Sequence, residues 1–128
     1  MSIVNYKQGV YFIKTGDFVK IGLTTNVDSR LLAIETHNPF KTELLFVIPW
    51  LDNWNQVISK EEKVSMLTLE RIVHYIFMDL KVKGEWFSLN VEVTDFIEDL
   101  QYQLEQKSIH NFFYEDIVYL FQKYGGKI

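Results

Sequence analysis

The sequence predicts an α/β chain of the α+β kind: a small three-stranded antiparallel sheet flanked by helices, with a C-terminal pair of amphipathic helices. Three observations carry that expectation. Two β-branched and aromatic runs, Val10-Tyr11-Phe12-Ile13 and Phe18-Val19-Lys20-Ile21, enclose Thr15-Gly16-Asp17, the pattern of a tight hairpin. Leu69, Ile72, Val73, Ile76, Phe77 and Leu80 recur at helical spacing. After Asn90 the texture changes to two further amphipathic repeats.

Taken in order, the hairpin spans Gly9 to Leu23, and both of its strands are apolar enough to be buried on two faces. Asn26 is expected to cap a first helix from about Val27 to Thr36, with Leu31, Leu32 and Ile34 as its apolar side and Asn38-Pro39 at its end. Thr42 to Ile48 reads as the third strand. Pro49 and the loop Trp50-Leu51-Asp52-Asn53-Trp54-Asn55 follow, its two tryptophans read as lids on the core or as platforms for stacking bases. Ser59-Lys60-Glu61-Glu62 fits a capping box and opens the longest helix, which should run to about Leu80. Glu70, His74 and Lys81 fall on one face beside its buried stripe. Lys81, Lys83 and Gly84 then lead into Glu85-Trp86-Phe87-Ser88-Leu89, an expected edge strand.

In the tail, Val93, Phe96, Ile97, Leu100 and Leu104 form one amphipathic helix. Phe112, Phe113, Ile117, Leu120, Phe121 and Tyr124 form another, ended by Gly125-Gly126. The organisation is therefore a domain over residues 1–90 and a helical extension over 91–128, packed on that domain or used as an interface, as in a homodimer.

Composition narrows the class. At 48% hydrophobic and 16% aromatic residues, the 128-residue chain has the make-up of one packed globular domain. No apolar run approaches the roughly 18 residues of a membrane span. Met1 to Lys7 lacks the apolar core of a signal peptide. With no cysteine there is no disulfide and no thiolate metal site, which fits a cytoplasmic home. Lys/Arg and Asp/Glu balance over residues 1–90, so the net charge of −4 belongs to residues 91–128. A neutral site-bearing part implies modest, salt-sensitive affinity for nucleic acid.

One residue is out of place in the hairpin. Lys20 stands in an otherwise apolar strand, where an ammonium is costly unless paired or open to a cleft. Alternation puts Tyr11 and Ile13 on one face of the first strand, and Phe18, Lys20 and Gly22 on one face of the next. Folding the hairpin can bring the Tyr11 hydroxyl and Lys20 ammonium together, with Arg30 on the first turns of the helix within reach. A phenol, an amine and a guanidinium converging on one point suit a phosphate. Singly, each has a blander reading: a core tyrosine, a solvated helix arginine, or a surface Glu70 pairing with His74.

These residues together resemble the GIY-YIG nuclease superfamily. Gly9-Val10-Tyr11 stands as the first motif and Lys20-Ile21-Gly22 as the second, with lysine in the more usual tyrosine position. Arg30 follows Lys20 at the interval of the family's helical arginine. Glu70, in Leu69-Glu70-Arg71-Ile72-Val73-His74, resembles the metal-binding glutamate. Gly84-Glu85-Trp86-Phe87 resembles the closing motif of a branch common in phages and bacteria. The resemblance spans about residues 9 to 89, and the family's late asparagine has no clear counterpart near Glu85.

The resemblance implies metal-dependent hydrolysis of DNA phosphodiester bonds. Glu70 would hold a single Mg²⁺ or Mn²⁺, and Tyr11 would deprotonate the attacking water. Lys20 would lower the tyrosine's pKa, and Arg30 would clamp the developing charge. His37, His74, Lys81 and Lys83 are the further expected substrate contacts. The alternative is a fold of the same kind that binds nucleic acid or a protein partner without cutting, which the missing asparagine and weak basic charge favour.

Overall fold

β1 (Gly9–Thr15) and β2 (Phe18–Thr24) pair antiparallel in unbroken register from Gly9↔Thr24 to Thr15↔Phe18. The computed structural model describes residues 7–49, 66–107 and 119–125. α1 (Val27–Thr36) follows with Asn26 as its cap, the Asn26 side chain accepting from the Ser29 amide at 3.1 Å. β3 (Thr42–Pro49) returns antiparallel along the other edge of β1, with a register shift between Phe12 and Ile13. α2 (Met66–Ile76), a short 3₁₀ turn (Met78–Leu80), β4 (Lys81–Lys83), β5 (Trp86–Ser88) and α3 (Val91–Lys107) complete the main body. A single π-type turn, Phe121–Gly125, lies near the C-terminus.

The sheet has five strands in the order β3-β1-β2-β5-β4, not the three expected. The segment expected as an edge strand lies inside the sheet as β5, and β4 forms the outer edge. β4, three residues long, is too short to show alternation, which is why it was not expected as a strand. The long helix also ends sooner than its periodicity suggests. α2 stops at Ile76, and the chain tightens before Lys81, which therefore lies on β4 rather than on a helix face with Glu70 and His74. The capping box at Ser59, Trp50, Trp54, Phe112, Phe113 and Ile117 lie outside the described residues. Among the described residues no helix is long and apolar enough to cross a membrane.

Alternation along the strands divides the sheet into two apolar faces. On one, Val10, Phe12, Val19, Ile21, Phe46, Ile48 and Phe87 pack with Leu69, Val73 and Ile76 of α2 and with Phe77 just after it. Val93, Phe96, Ile97 and Leu100 of α3, together with Leu120, belong to the same cluster. On the other face Tyr11, Ile13 and Val47 pack against Val27 and Ile34 of α1. Leu32, expected on the apolar side of α1, is 64% exposed, because it lies on the far side of the helix from Val27 and Ile34, which stand two turns apart and face the sheet. Gly9 makes the first strand pairing possible. Its φ is +144°, and a Cβ there would stand 1.9 Å from the Ile48 carbonyl oxygen.

α3 is held on two sides. The Phe96 ring meets Phe12, Phe77 and Tyr124 at centroid distances of 6.1, 5.1 and 4.9 Å. Asp99 accepts from Lys123 Nζ at 2.6 Å, from Gln103 Nε2 at 3.0 Å and from the Tyr124 hydroxyl. Phe121 stacks on Tyr75 of α2 with centroids 5.5 Å apart. Burial works against the Asp99 carboxylate, but the bonds from Lys123, Tyr124 and Gln103 prevail and hold its pKa below the ordinary range. Burial and the Asp99 bond together push the Tyr124 phenol up to about 12.

Two outcomes are expected. Phe96→Ala should destabilise the fold by about 3–5 kcal/mol in denaturant unfolding, while Tyr102→Ala, at 62% exposed, should stay within about 0.5 kcal/mol. Because the folded pKa of Asp99 is depressed, its contribution is present above the unfolded value and is lost as pH falls through the folded one. Wild type should therefore lose more stability than Asp99→Asn as pH drops below about 4, measured by thermal unfolding across an acid series.

Candidate active site

β5 covers only part of β2. It pairs with Phe18, Val19 and Lys20, and among the described residues the rest of that strand's edge has no neighbouring strand. Backbone groups there still need partners. The Ile21 amide donates to the Glu85 carbonyl at 2.9 Å, the last strand-like bond. The Ile21 carbonyl accepts from His74 Nε2 at 2.7 Å, and the Leu23 backbone bonds the Glu70 carboxylate. The match is metrical. Residues i and i+4 on a helix are about 6 Å apart along its axis, close to the nearly 7 Å between alternate strand residues. Two side chains of α2 thus finish the edge of β2. His74 is further fixed by its ring contact with Phe87, centroids 4.9 Å apart.

Glu70 is brought by this arrangement to Gly22, where Tyr11 and Glu85 also converge. Tyr11 pairs with Gly22 across β1 and β2, and its ring is 1% exposed. A Cβ at position 22 would lie 2.6 Å from Glu85 Oε1 and 2.7 Å from the Tyr11 hydroxyl oxygen, so the absent side chain is the space in which they meet. The Tyr11 hydroxyl faces Glu85 Oε1 at 3.4 Å as donor. Burial first, then the charge of Glu85, pushes the Tyr11 phenol well above its usual range, with Arg30 acting in the opposite sense. Glu70 is raised as well, by burial and by the charge of Glu85 and a hydrogen bond with it, partly offset by His74 and the Leu23 backbone. Two carboxyl groups and a phenol thus crowd one spot, which favours the protonated forms of Tyr11 and Glu70.

The cations sit to one side. Lys20 pairs with Trp86 across β2 and β5, and its ammonium lies 5.5 Å from the Trp86 ring centroid. Lys20, Arg30, Ile34, His37, Asn38 and Trp86 line a cavity of about 210 Å³ between α1 and the sheet. Neither Lys20 nor Arg30 forms an ion pair with a carboxylate among the described residues. His37 Nδ1 donates to the Ala33 carbonyl at 3.1 Å. Lys81 and Lys83 are exposed on the outer strand β4 and line no part of this cavity.

The expected residues therefore fall into groups. Tyr11 and Glu70 meet at Gly22, Lys20, Arg30 and His37 line the cavity, and His74 is tied to the strand edge. Arg30 is a cation whose charge favours the Tyr11 phenolate, while the Lys20 ammonium lies over the Trp86 ring. Sequence reasoning did not single out Glu85 and Trp86 as side chains of the candidate site, although both stood in the Gly84-Glu85-Trp86-Phe87 motif. The available signal was alternation: with Phe87 in the core, Trp86 must share the face of Lys20. Among the described residues no group of three or more His, Asp or Glu side chains gathers as a metal cage.

Comparison with known proteins gives one match. A family model described as the T5orf172 domain matches residues 8–100, from the start of the hairpin into α3 and well over half of the chain. No curated protein and no solved structure matches it. On the extent of that match, the chain belongs to the T5orf172 domain family.

Proposed function

We propose that this protein is a metal-dependent endonuclease that hydrolyses DNA phosphodiester bonds, working with a site of the GIY-YIG kind. The observation that carries the reading is the meeting of Tyr11, Glu70 and Glu85 at Gly22, beside a cavity with two unpaired cations. Glu70 is the residue that would hold Mg²⁺ or Mn²⁺. The fit lies in the donor set: burial and a neighbouring carboxylate leave Glu70 short of positive charge, and a hard cation that takes one carboxylate supplies it. Bound there, the cation would supply Lewis-acid stabilisation of charge on the phosphate.

The remaining roles belong to the chain. Arg30 and Lys20 face the cavity as donors to phosphoryl oxygens, where preorganised positive charge lowers the barrier most. Tyr11 is the group that receives the proton of the attacking water. A buried phenol resists becoming a free phenolate, so Tyr11 passes its own proton along its hydrogen bond to Glu85 as it takes one from water. Glu85 thus completes the base that the tyrosine alone would make poorly. The second reading, a binding module without chemistry, draws on the same burial, which holds the phenol protonated.

Incubation of supercoiled plasmid and of single-stranded DNA with Mg²⁺, with Mn²⁺ and with chelator tests the proposal. Nicking should require the metal. Glu70→Gln should abolish it while circular dichroism shows the fold retained, and Glu85→Gln should slow it by roughly a hundredfold or more. Wild-type cleavage rates from Glu70→Gln in Mg²⁺ would sink the assignment.

The pH–rate profile separates the cations. Arg30 is a charge that favours loss of the phenol proton, so Arg30→Met should move the rising limb, set by the base, to higher pH as well as slow the reaction. Lys20→Met, which removes a cation lying over Trp86, should lower the rate and leave that limb in place. The reverse pattern would return the activating role to Lys20.

A further inference from the structure

We infer that the cavity between α1 and β5 is a nucleobase subsite, in which one base of the bound strand lies against Trp86 and is read by Asn38 and His37; this rests on the nuclease reading and adds what holds the neighbouring nucleotide. At about 210 Å³ the cavity is smaller than the roughly 300–1,000 Å³ of pockets that take whole drug-sized ligands, which suits a single planar ring. Trp86 supplies an aromatic wall and is only half-buried, so part of the indole is open to the cavity. Base–aromatic stacking needs no more than such a face.

The polar atoms around it are held in defined roles. Asn38 Oδ1 accepts from the Phe40 amide at 3.1 Å, which turns the two Nδ2 hydrogens toward other partners. His37 spends Nδ1 on the Ala33 carbonyl, leaving Nε2 as its second polar atom. Two oriented side chains on one rim give donors and an acceptor to a base edge, where a plain anion pocket would need donors alone. Lys20 and Arg30 lie on the side toward Gly22, so a base in this cavity would place its own phosphate next to Tyr11.

The test uses the full chain in chelator, so that no cleavage intervenes, with fluorescein-labelled single-stranded DNA in which one abasic residue is walked along the strand. Anisotropy titration should find one position where loss of the base weakens binding by roughly five- to hundredfold. Trp86→Ala should weaken binding of the intact strand by a similar factor and show no further loss at that position. Trp86→Phe should restore the dependence. Asn38→Asp keeps the acceptor for the Phe40 amide and removes both donors, so it should change which base is preferred at the sensitive position while the fold is retained. A flat abasic walk overturns the subsite even if the strand binds, and competition by inorganic phosphate in that case would identify an anion pocket instead. Failure of wild type to bind any strand overturns both the subsite and the nuclease reading.

Discussion

The edge of β2 beyond Lys20 is the constraint on which the rest depends. A strand edge with unpaired amides and carbonyls must be completed by something, and here β5 is too short to do it. α2 finishes the job with side chains in place of a backbone ladder. Because Ile21 and Leu23 stand two residues apart, the helix answers with His74 and Glu70, four apart. Glu70 is therefore fixed by a backbone amide before it meets any ligand, which is the preorganisation that a site residue on a helix needs.

Glycine sets the second constraint. Gly9 lets β3 come within a distance no side chain would allow, and Gly22 leaves the room in which the Tyr11 hydroxyl and the Glu85 carboxylate meet. Both glycines stand in motifs recognisable by residue type, and both have packing reasons that would hold with no chemistry at all. The proposed chemistry would take advantage of the space at Gly22. Carboxyl groups come to it from α2 and the β4–β5 turn, while the cations stay on the α1 side, so opposite charges flank one buried phenol. Separation of the two sets keeps Lys20 and Arg30 from being neutralised within the protein.

Much of the frame was legible in the sequence. The hairpin, the Asn26 cap, α1 and β3 all announce themselves through local chemistry: alternation, a turn glycine, a capping amide. Of the β4–β5 hairpin only the β5 segment was legible as a strand, because Lys81–Lys83 is too short and too charged to show a buried face. The end of α2 was also hidden, since Phe77 and Leu80 keep the apolar spacing through the 3₁₀ turn. At the candidate site, Tyr11 and Glu70 were expected from type and interval, whereas the partnership of Tyr11 with Glu85 spans 74 residues and depends on the register of two strands. His74 shows the same limit from the other side. Its helical spacing from Glu70 was plain, but its work for the Ile21 carbonyl depends on where β5 stops.

The strand order has a thermal meaning. β1 and β2 form the centre of the sheet from neighbouring residues, and three strands with two buried faces make the part that opens last. Glu85 arrives on a two-strand flap of three residues a side, at the outer edge where fraying begins. Lifting that flap would take Glu85 from Tyr11, Trp86 from Lys20 and the buried Phe87 from His74, while Phe12, Phe46 and Phe96 keep their contacts with one another. The candidate site would then come apart before the scaffold does, and the two need not share a melting temperature.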